Sequence, residues 1–205
     1  MGTEGMDAFL QSRGLQVNMP LEGSMTSHHV NEAISDALRI AGKSDSMELY
    51  LASEQDMHHI ERLVYGLSVY EKETDVIHVN RQHYVVDMSL YKCLLMKNRN
   101  DEHVCGMAFF YFGYDLSRGS FLYLEDLFIE EPYRGDGGGT LAMVALASVA
   151  RTLGCTGWVW QALDWNTPAL NFYHKLGAKV LRGLLTTRFN GPDLKEFLDN
   201  RPLKV

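Results

Sequence analysis

Between Tyr133 and Ala150 the chain reads YRGDGGGTLAMVALASVA, and four of the five residues from Gly135 to Gly139 are glycine. A glycine ordered inside an element costs roughly 0.5–1 kcal/mol relative to alanine. Such a cluster at a helix entrance therefore calls for a compensating use. Glycines let the main chain come close to a ligand and turn its N–H groups toward one anion. The helix N-terminus behind them adds partial positive charge. Arg134, one residue ahead, is placed to add a charge-assisted contact. Two other groups can do chemistry: the adjacent carboxylates Glu125 and Asp126 in YLED, and the phenol of Tyr173 in NFYHKLGA. On its own, the first pair also reads as a solvated strand end, and the second as a core aromatic.

Three ligand-binding readings compete for the glycines. A nucleotide P-loop needs Gly-Lys-Ser/Thr, but Gly139 is followed by Thr140 with no lysine, which excludes it. A dinucleotide fingerprint finds Gly137-x-Gly139-x-x-Ala142 after a strand, with Asp164 as the ribose-binding acid. Against it, EPYRGD separates strand from glycines, and about forty residues after Asp164 are too few for the second half of that fold. The third is Arg134-x-x-Gly137-x-Gly139, a diphosphate cradle. A purely structural glycine-rich turn stands beside it as the alternative.

These residues need a scaffold, and the periodicities supply one. MELYLA alternates as a strand. Ser53 with Asp56 three residues on makes a capping-box start for a helix whose stripe is Met57, Ile60, Leu63, Val64 and Leu67. A short helix is expected over Arg81–Met88. YKCLLMK, the turn NRND and HVCGMAFFYFGY read as a hairpin, and GSFLYLEDLFIE as the next strand. After the glycines a helix runs to about Leu153, then a strand GWVWQAL, then a helix over Pro168–Leu176 closed by Gly177. AKVLRGLLTTRF is expected as a last strand pair or one bulged strand, and GPDLKEFL as a final short helix. The order β-α-α-β-β-β-α-β-α-β implies a mixed α/β sheet with helices on both faces. Residues 1–46 read as an N-terminal extension, a loose lead and one helix with Ile34, Ala37, Leu38 and Ala41 on one face. Residues 47–205 read as the functional domain.

The bulk numbers bound the function. A net charge of −7 argues against a nucleic-acid binder and suits a cationic ligand or simple solubility. Three cysteines without CxxC spacing argue against a disulfide framework or zinc site, and a reducing, cytoplasmic interior is expected. No apolar run reaches the roughly 18 residues of a membrane span, and no signal-peptide pattern opens the chain. His28–His29, His58–His59 and His83 lack metal-ligand spacing, so no metal is expected.

Residues 47–182 resemble the diamine/polyamine branch of the GNAT acetyltransferase superfamily, which holds the spermidine/spermine and thialysine N-acetyltransferases. The resemblance rests on SVYEKETD, FFYFGYD, FLYLEDLFIEEPYRGDGGG and LDWNTPALNFYHKLGA, and is continuous from Tyr123 to Ala178. LDWN is at least as close to the thialysine type as to the polyamine type. The resemblance implies a GNAT fold, with a mostly antiparallel mixed sheet, and acetyl transfer from acetyl-coenzyme A to a small primary amine. The backbone of Leu127, Phe128 and Ile129 would hold the acetyl and pantetheine portions. Arg134, Gly135, Asp136, Gly137, Gly138, Gly139 and Thr140 would hold the pyrophosphate, and Asn166 would hydrogen-bond the cofactor arm. Tyr173 would sit by the sulfur. Glu125 and Asp126 would face the amine, and Tyr70 and Glu71 would form more of the acceptor pocket. From their type and place alone, Trp158, Trp160 and Trp165 read as the lining of an aliphatic acceptor channel, with core packing the alternative for at least one of them, and Asp164 as a further acceptor-binding residue. The resemblance also implies a homodimer. Protein lysine or N-terminal acetylation, and a non-catalytic acyl-coenzyme A-binding module, are the competing functions.

The chemistry sets two demands. An amine of pKa about 10.4 is roughly one part in a thousand neutral at pH 7.4, a gap of about 4 kcal/mol, so the site must take a proton, with Glu125 the expected base. A departing thiolate must be stabilised, and hydrogen bonding from Tyr173 suffices for that. An amino-acid acceptor would further need a cation for its carboxylate, for which Arg81, Arg182 and Arg188 are candidates.

Overall fold

The computed structural model describes residues 26–74, 90–183, 186–189 and 191–200. Helix α1 (Ser27–Ala41) starts at Thr26, whose side chain accepts from the His29 N–H, and ends at Gly42. Its stripe of Val30, Ala33, Ile34, Ala37 and Ala41 is buried. Strand β1 (Met47–Leu51) leads to a 3-10 turn over Glu54–Asp56, where the Ser53–Asp56 capping box forms, and then to helix α2 (Met57–Glu71).

Strands β2 (Lys92–Asn98), β3 (Val104–Asp115) and β4 (Gly119–Ile129) form an antiparallel meander. A second 3-10 turn, Glu131–Tyr133, carries the chain to helix α3 (Gly138–Thr152). Strand β5 (Gly157–Trp160) returns parallel to β4, and helices α4 (Thr167–Lys175) and α5 (Gly191–Asp199) follow. The sheet order is β1-β2-β3-β4-β5. This is the mixed, mostly antiparallel α/β sheet that the element order implies.

Apolar side chains fill both faces. On one, Val30 and Ile34 of α1 and Met143 and Leu146 of α3 pack on Leu94, Phe110, Leu122 and Leu124. On the other, Met57, Ile60 and Leu63 of α2 pack on Leu95, Met107 and Phe128.

Two irregularities shape what lies between. Pairing of β4 with β3 steps from Leu124–Phe110 to Asp126–Phe109, so Glu125 is an extra residue, a β-bulge. Strict alternation would put Asp126 and Phe128 on the face of Leu122 and Leu124. The bulge turns them over to the α2 face and sends Leu127 and Ile129 to the other. Secondly, β4–β5 pairing ends at Leu124–Trp160, so nothing on β5 pairs with β4 from Glu125 onward.

Two expectations change, and one falls on residues the structure does not describe. The fifth strand stops at Trp160 instead of running through Leu163, because Gln161–Leu163 diverges from β4. No strand forms among residues 178–183 and 186–189, where Val180, Leu181 and Phe189 are exposed and lack the half-buried surface a strand needs. The helix expected over 81–88 lies outside the described residues.

Candidate active site

The cleft opened between β4 and β5 gathers most of the chemistry. Beyond Leu124 its β4 side is Glu125–Ile129, and helix α4 brings Tyr173 within electrostatic reach of Asp126 and its cap Asn166 to Tyr70. Asn166 caps α4, its Oδ1 accepting from the Ala169 N–H at 3.3 Å. The same oxygen accepts from the Tyr70 hydroxyl of α2 at 3.0 Å, which ties the two sides together. Trp165 lies 6.0 Å from the Tyr70 ring, and Lys72 holds its ammonium 5.8 Å from the Trp165 ring centre.

Asp126 is the most perturbed carboxyl here. Burial, then the charges of Glu125 and Glu71, push it up to about 7. Glu71 is also raised, by burial and then by Glu73. Glu125 is exposed, beside Tyr111 and Tyr123, whose rings stack 5.0 Å apart. Tyr173 is pushed up to about 12 by burial, then by the Asp126 charge, which places the two groups within electrostatic reach across the cleft. The Tyr173 ring packs 5.1 Å from Trp160, which itself lies 5.1 Å from the core residue Trp158. Trp160 therefore braces the phenol. A hydroxyl held protonated up to about pH 12 is a hydrogen-bond donor throughout the physiological range.

The glycines divide into two pairs. Gly135 and Gly137 have φ of +93° and +83°, and a Cβ on either would meet no protein atom within 4 Å, so what they keep bare is approach from outside. A Cβ on Gly138 would run into Met96 Sδ, and one on Gly139 would sit 3.3 Å from Phe172. Those two serve packing of α3 onto the sheet and α4. Gly137 is the α3 N-cap and supplies no side-chain acceptor to the first turn, so its N–H groups are available to an anion. The residues present thus fit a diphosphate.

The turn ahead of the glycines is fastened on several sides. Glu130 pairs with Arg62 of α2, which also donates to the Val104 carbonyl, and lies 2.7 Å from His103 Nε2. His103 stacks on Tyr133 at 5.2 Å, and the Tyr133 hydroxyl donates to Asp101 at 2.9 Å.

Of the sequence-predicted residues, the structure brings Tyr70, Glu71, Asp126, Trp165, Asn166 and Tyr173 around the cleft. Arg134 precedes the glycines on an exposed position. Its Nε donates to the Ile129 carbonyl at 2.7 Å, and its guanidinium lies 4.9 Å from the Tyr70 ring centre, beside the cleft. Asp164 is exposed on the loop before Trp165. Arg182 and Arg188 are exposed on coil after α4, and Arg81 lies outside the described residues. Sequence reasoning passed over Lys72, although it directly follows Tyr70 and Glu71. The αL residue closing α2 (φ 63°) carries its side chain toward Trp165. Among the described residues no group of three His, Cys, Asp or Glu is placed to hold a metal.

Residues 54–178 match the Acetyltransferase (GNAT) family. The chain is 32% identical over 158 residues to the thialysine N-epsilon-acetyltransferase of Bos taurus, covering 71% of this chain and 93% of the relative. Over 98 residues it is 39% identical to an L-ornithine N5-acetyltransferase of Arabidopsis thaliana, covering 47% of this chain and 42% of that one. Its fold matches an integron cassette protein from the mobile metagenome of V. cholerae with TM-score 0.61 and 22% identity, over 75% of this chain and 98% of the other.

Proposed function

Since the chain belongs to the GNAT acetyltransferase family and is an acetyl-coenzyme A-dependent N-acetyltransferase, we propose that it acetylates a primary amine of a small acceptor by direct attack in a ternary complex. The acceptor class is a diamine, a polyamine or an amino acid of the thialysine or ornithine kind. The observation that carries this reading is the cleft beyond Leu124–Trp160, with carboxyls of Asp126 and Glu71 on one side and the Tyr173 phenol on the other. Clustered carboxylates attract an ammonium, and a buried phenol can stabilise charge on a departing sulfur.

When bound, acetyl-coenzyme A supplies the acetyl thioester. Gly135 through Thr140 would receive its diphosphate at the α3 N-terminus, and the β4 backbone at Leu127, Phe128 and Ile129 would hold its arm. Asn166 would reach that arm with its amide NH2, since its Oδ1 is already used. Glu125, Asp126, Tyr70, Glu71 and Trp165 hold the acceptor amine. Tyr173 donates a hydrogen bond to sulfur as negative charge develops there.

Lys72 favours an amino-acid acceptor over a polyamine. It sets a cation beside Trp165 at the acceptor side, where a substrate carboxylate gains and a polycation is repelled. Steady-state assays with acetyl-coenzyme A and a panel of thialysine, ornithine, diamines, polyamines and a lysine peptide test the proposal. Turnover of the amino acids is expected, with Lys72→Glu raising their KM at least tenfold and lowering that of spermidine. Turnover confined to the peptide would overturn it.

The same reading makes residues 47–205 the catalytic unit, with 1–46 an extension that packs α1 onto it, and the active species a homodimer in the cytoplasm. Three buried free thiols support a reducing compartment, and light scattering in solution tests the dimer.

A further inference from the structure

We infer that Glu130 is a positioning residue for the coenzyme. It fixes the turn that presents the glycine loop, and so sets affinity for the diphosphate end without touching the acetyl group or the amine. This rests on the proposed coenzyme reading of Gly135 through Thr140 and says what holds that loop in place.

Glu130 stands where the chain leaves the sheet. Its N–H donates to the Cys105 carbonyl at 2.9 Å, just past the Gly106–Ile129 pair of β3 and β4. The 3-10 turn then folds back on it, the Tyr133 N–H donating to the Glu130 carbonyl at 3.0 Å. One carboxylate oxygen of Glu130 pairs with Arg62 of α2, and the other lies 2.7 Å from His103 Nε2. Arg62 is itself fixed by donating to the Val104 carbonyl. Glu130 thus joins α2, the start of β3 and the exit from β4. His103 carries the fastening forward. Its ring stacks on Tyr133, and its main-chain N–H and the Tyr133 hydroxyl both donate to the Asp101 carboxylate, at 3.0 and 2.9 Å.

The loop beyond depends on such an anchor. Gly135 and Gly137 have φ of +93° and +83°, and among the described residues a Cβ on either would meet nothing within 4 Å, so packing does not hold them. Behind them is α3, and an exposed hydrogen bond runs from Ser46 Oγ to the Asp136 carbonyl at 3.1 Å. In front is the turn tied at Glu130. Glycine has the most backbone freedom to lose on ordering. Whatever freedom the loop keeps in the free protein is lost when a diphosphate binds, and that loss subtracts from affinity. The clamp removes it beforehand. A part-exposed ion pair contributes little to global stability, so removing this one should move coenzyme affinity more than it moves melting.

The test pairs coenzyme A dissociation constants from calorimetry with kinetics on two donors, acetyl-coenzyme A and S-acetyl-N-acetylcysteamine, a thioester that lacks the diphosphate. Glu130→Ala should weaken coenzyme A about tenfold, while kcat/KM for the short thioester and the KM for thialysine stay within about twofold. Glu130→Gln, which keeps an acceptor for Arg62 and loses the charge, should recover part of the affinity, leaving a loss of about threefold. Arg62→Ala should weaken binding about as much as Glu130→Ala, and the double variant no further, since both act through one clamp. Where a variant melts below the assay temperature, Tyr133→Phe, which removes only the bond to Asp101, should show the same split between donors at about threefold. Unchanged coenzyme A affinity in Glu130→Ala, equal losses on both donors, or additive losses in the double variant would overturn the assignment and leave amine acetylation standing. A wild-type protein that turns over the short thioester but binds no coenzyme A would bring down the diphosphate reading of the loop as well.

Discussion

A carboxyl raised to about 7 binds a proton in the folded state that the unfolded chain, titrating near 4, has already released. Between those values the native state holds more protons, so stability falls as pH rises through the window, and the full penalty of burying charge is present above pH 7. Asp126→Asn should therefore stabilise the protein at pH 8 by about 2–4 kcal/mol. The gain should shrink as pH falls through 7 and vanish below about 4, as read from urea denaturation midpoints across that range. A variant that gains stability and loses turnover is the pattern of a residue kept for function. Tyr173→Phe should lower kcat on the order of 100-fold with coenzyme A affinity unchanged within twofold, checked by pairing kinetics with calorimetry. At this scale the sequence pointed to most of the side chains that meet beside β4, since residue type and motif announce them. It could not tell the surroundings of Glu125 and Asp126 apart. That difference depends on one extra residue in the pleat, and two adjacent acids look alike until burial distinguishes them.

The elements that carry these groups were largely legible because period and punctuation agreed. The Ser53–Asp56 box, the stripe of α2, the helix after the glycines and Gly177 at the end of α4 all sit where capping and periodicity put them. The end of β5 was not legible, since no glycine or proline follows Trp160 in GWVWQAL to mark a stop, and the pairing with β4 simply ends there. The glycine loop shows a similar limit: four glycines read as one cradle, while the structure gives two to an outward-facing turn and two to packing. Neighbouring alanine substitutions should separate these roles. Gly137→Ala places a side chain at positive φ facing outward, costing about 1–2 kcal/mol of stability and weakening coenzyme A binding severalfold. Gly138→Ala should cost more stability, about 1–3 kcal/mol from crowding Met96, and should affect the dissociation constant less. Thermal melts beside calorimetric titrations check the contrast.

At the scale of the whole molecule, helix α1 lies outside the family-matched residues 54–178, yet Ile34 is fully buried against the face of the sheet that α3 covers. It is a wall of the core. Ile34→Ala should cost about 2–5 kcal/mol, and a chain beginning at residue 47 should expose the α3 flank and melt at a lower temperature, measurable by calorimetric scanning. The apolar stripe of this helix was legible beforehand and its docking partner was not, because amphipathic spacing says which side seeks cover and not what covers it.

The bulge at Glu125 has a last consequence, which concerns length and not chemistry. Because the pleat has a period of two, one inserted residue acts as a phase shift, and everything downstream in β4 faces as it does only while that shift persists. Swapping the side chain at position 125 leaves the count intact. Removing the residue altogether would invert Asp126 through Ile129 together, pushing a carboxylate under α3 and prising Phe128 from beneath α2. This stretch of chain should thus tolerate spelling changes at 125 far better than a single-codon loss.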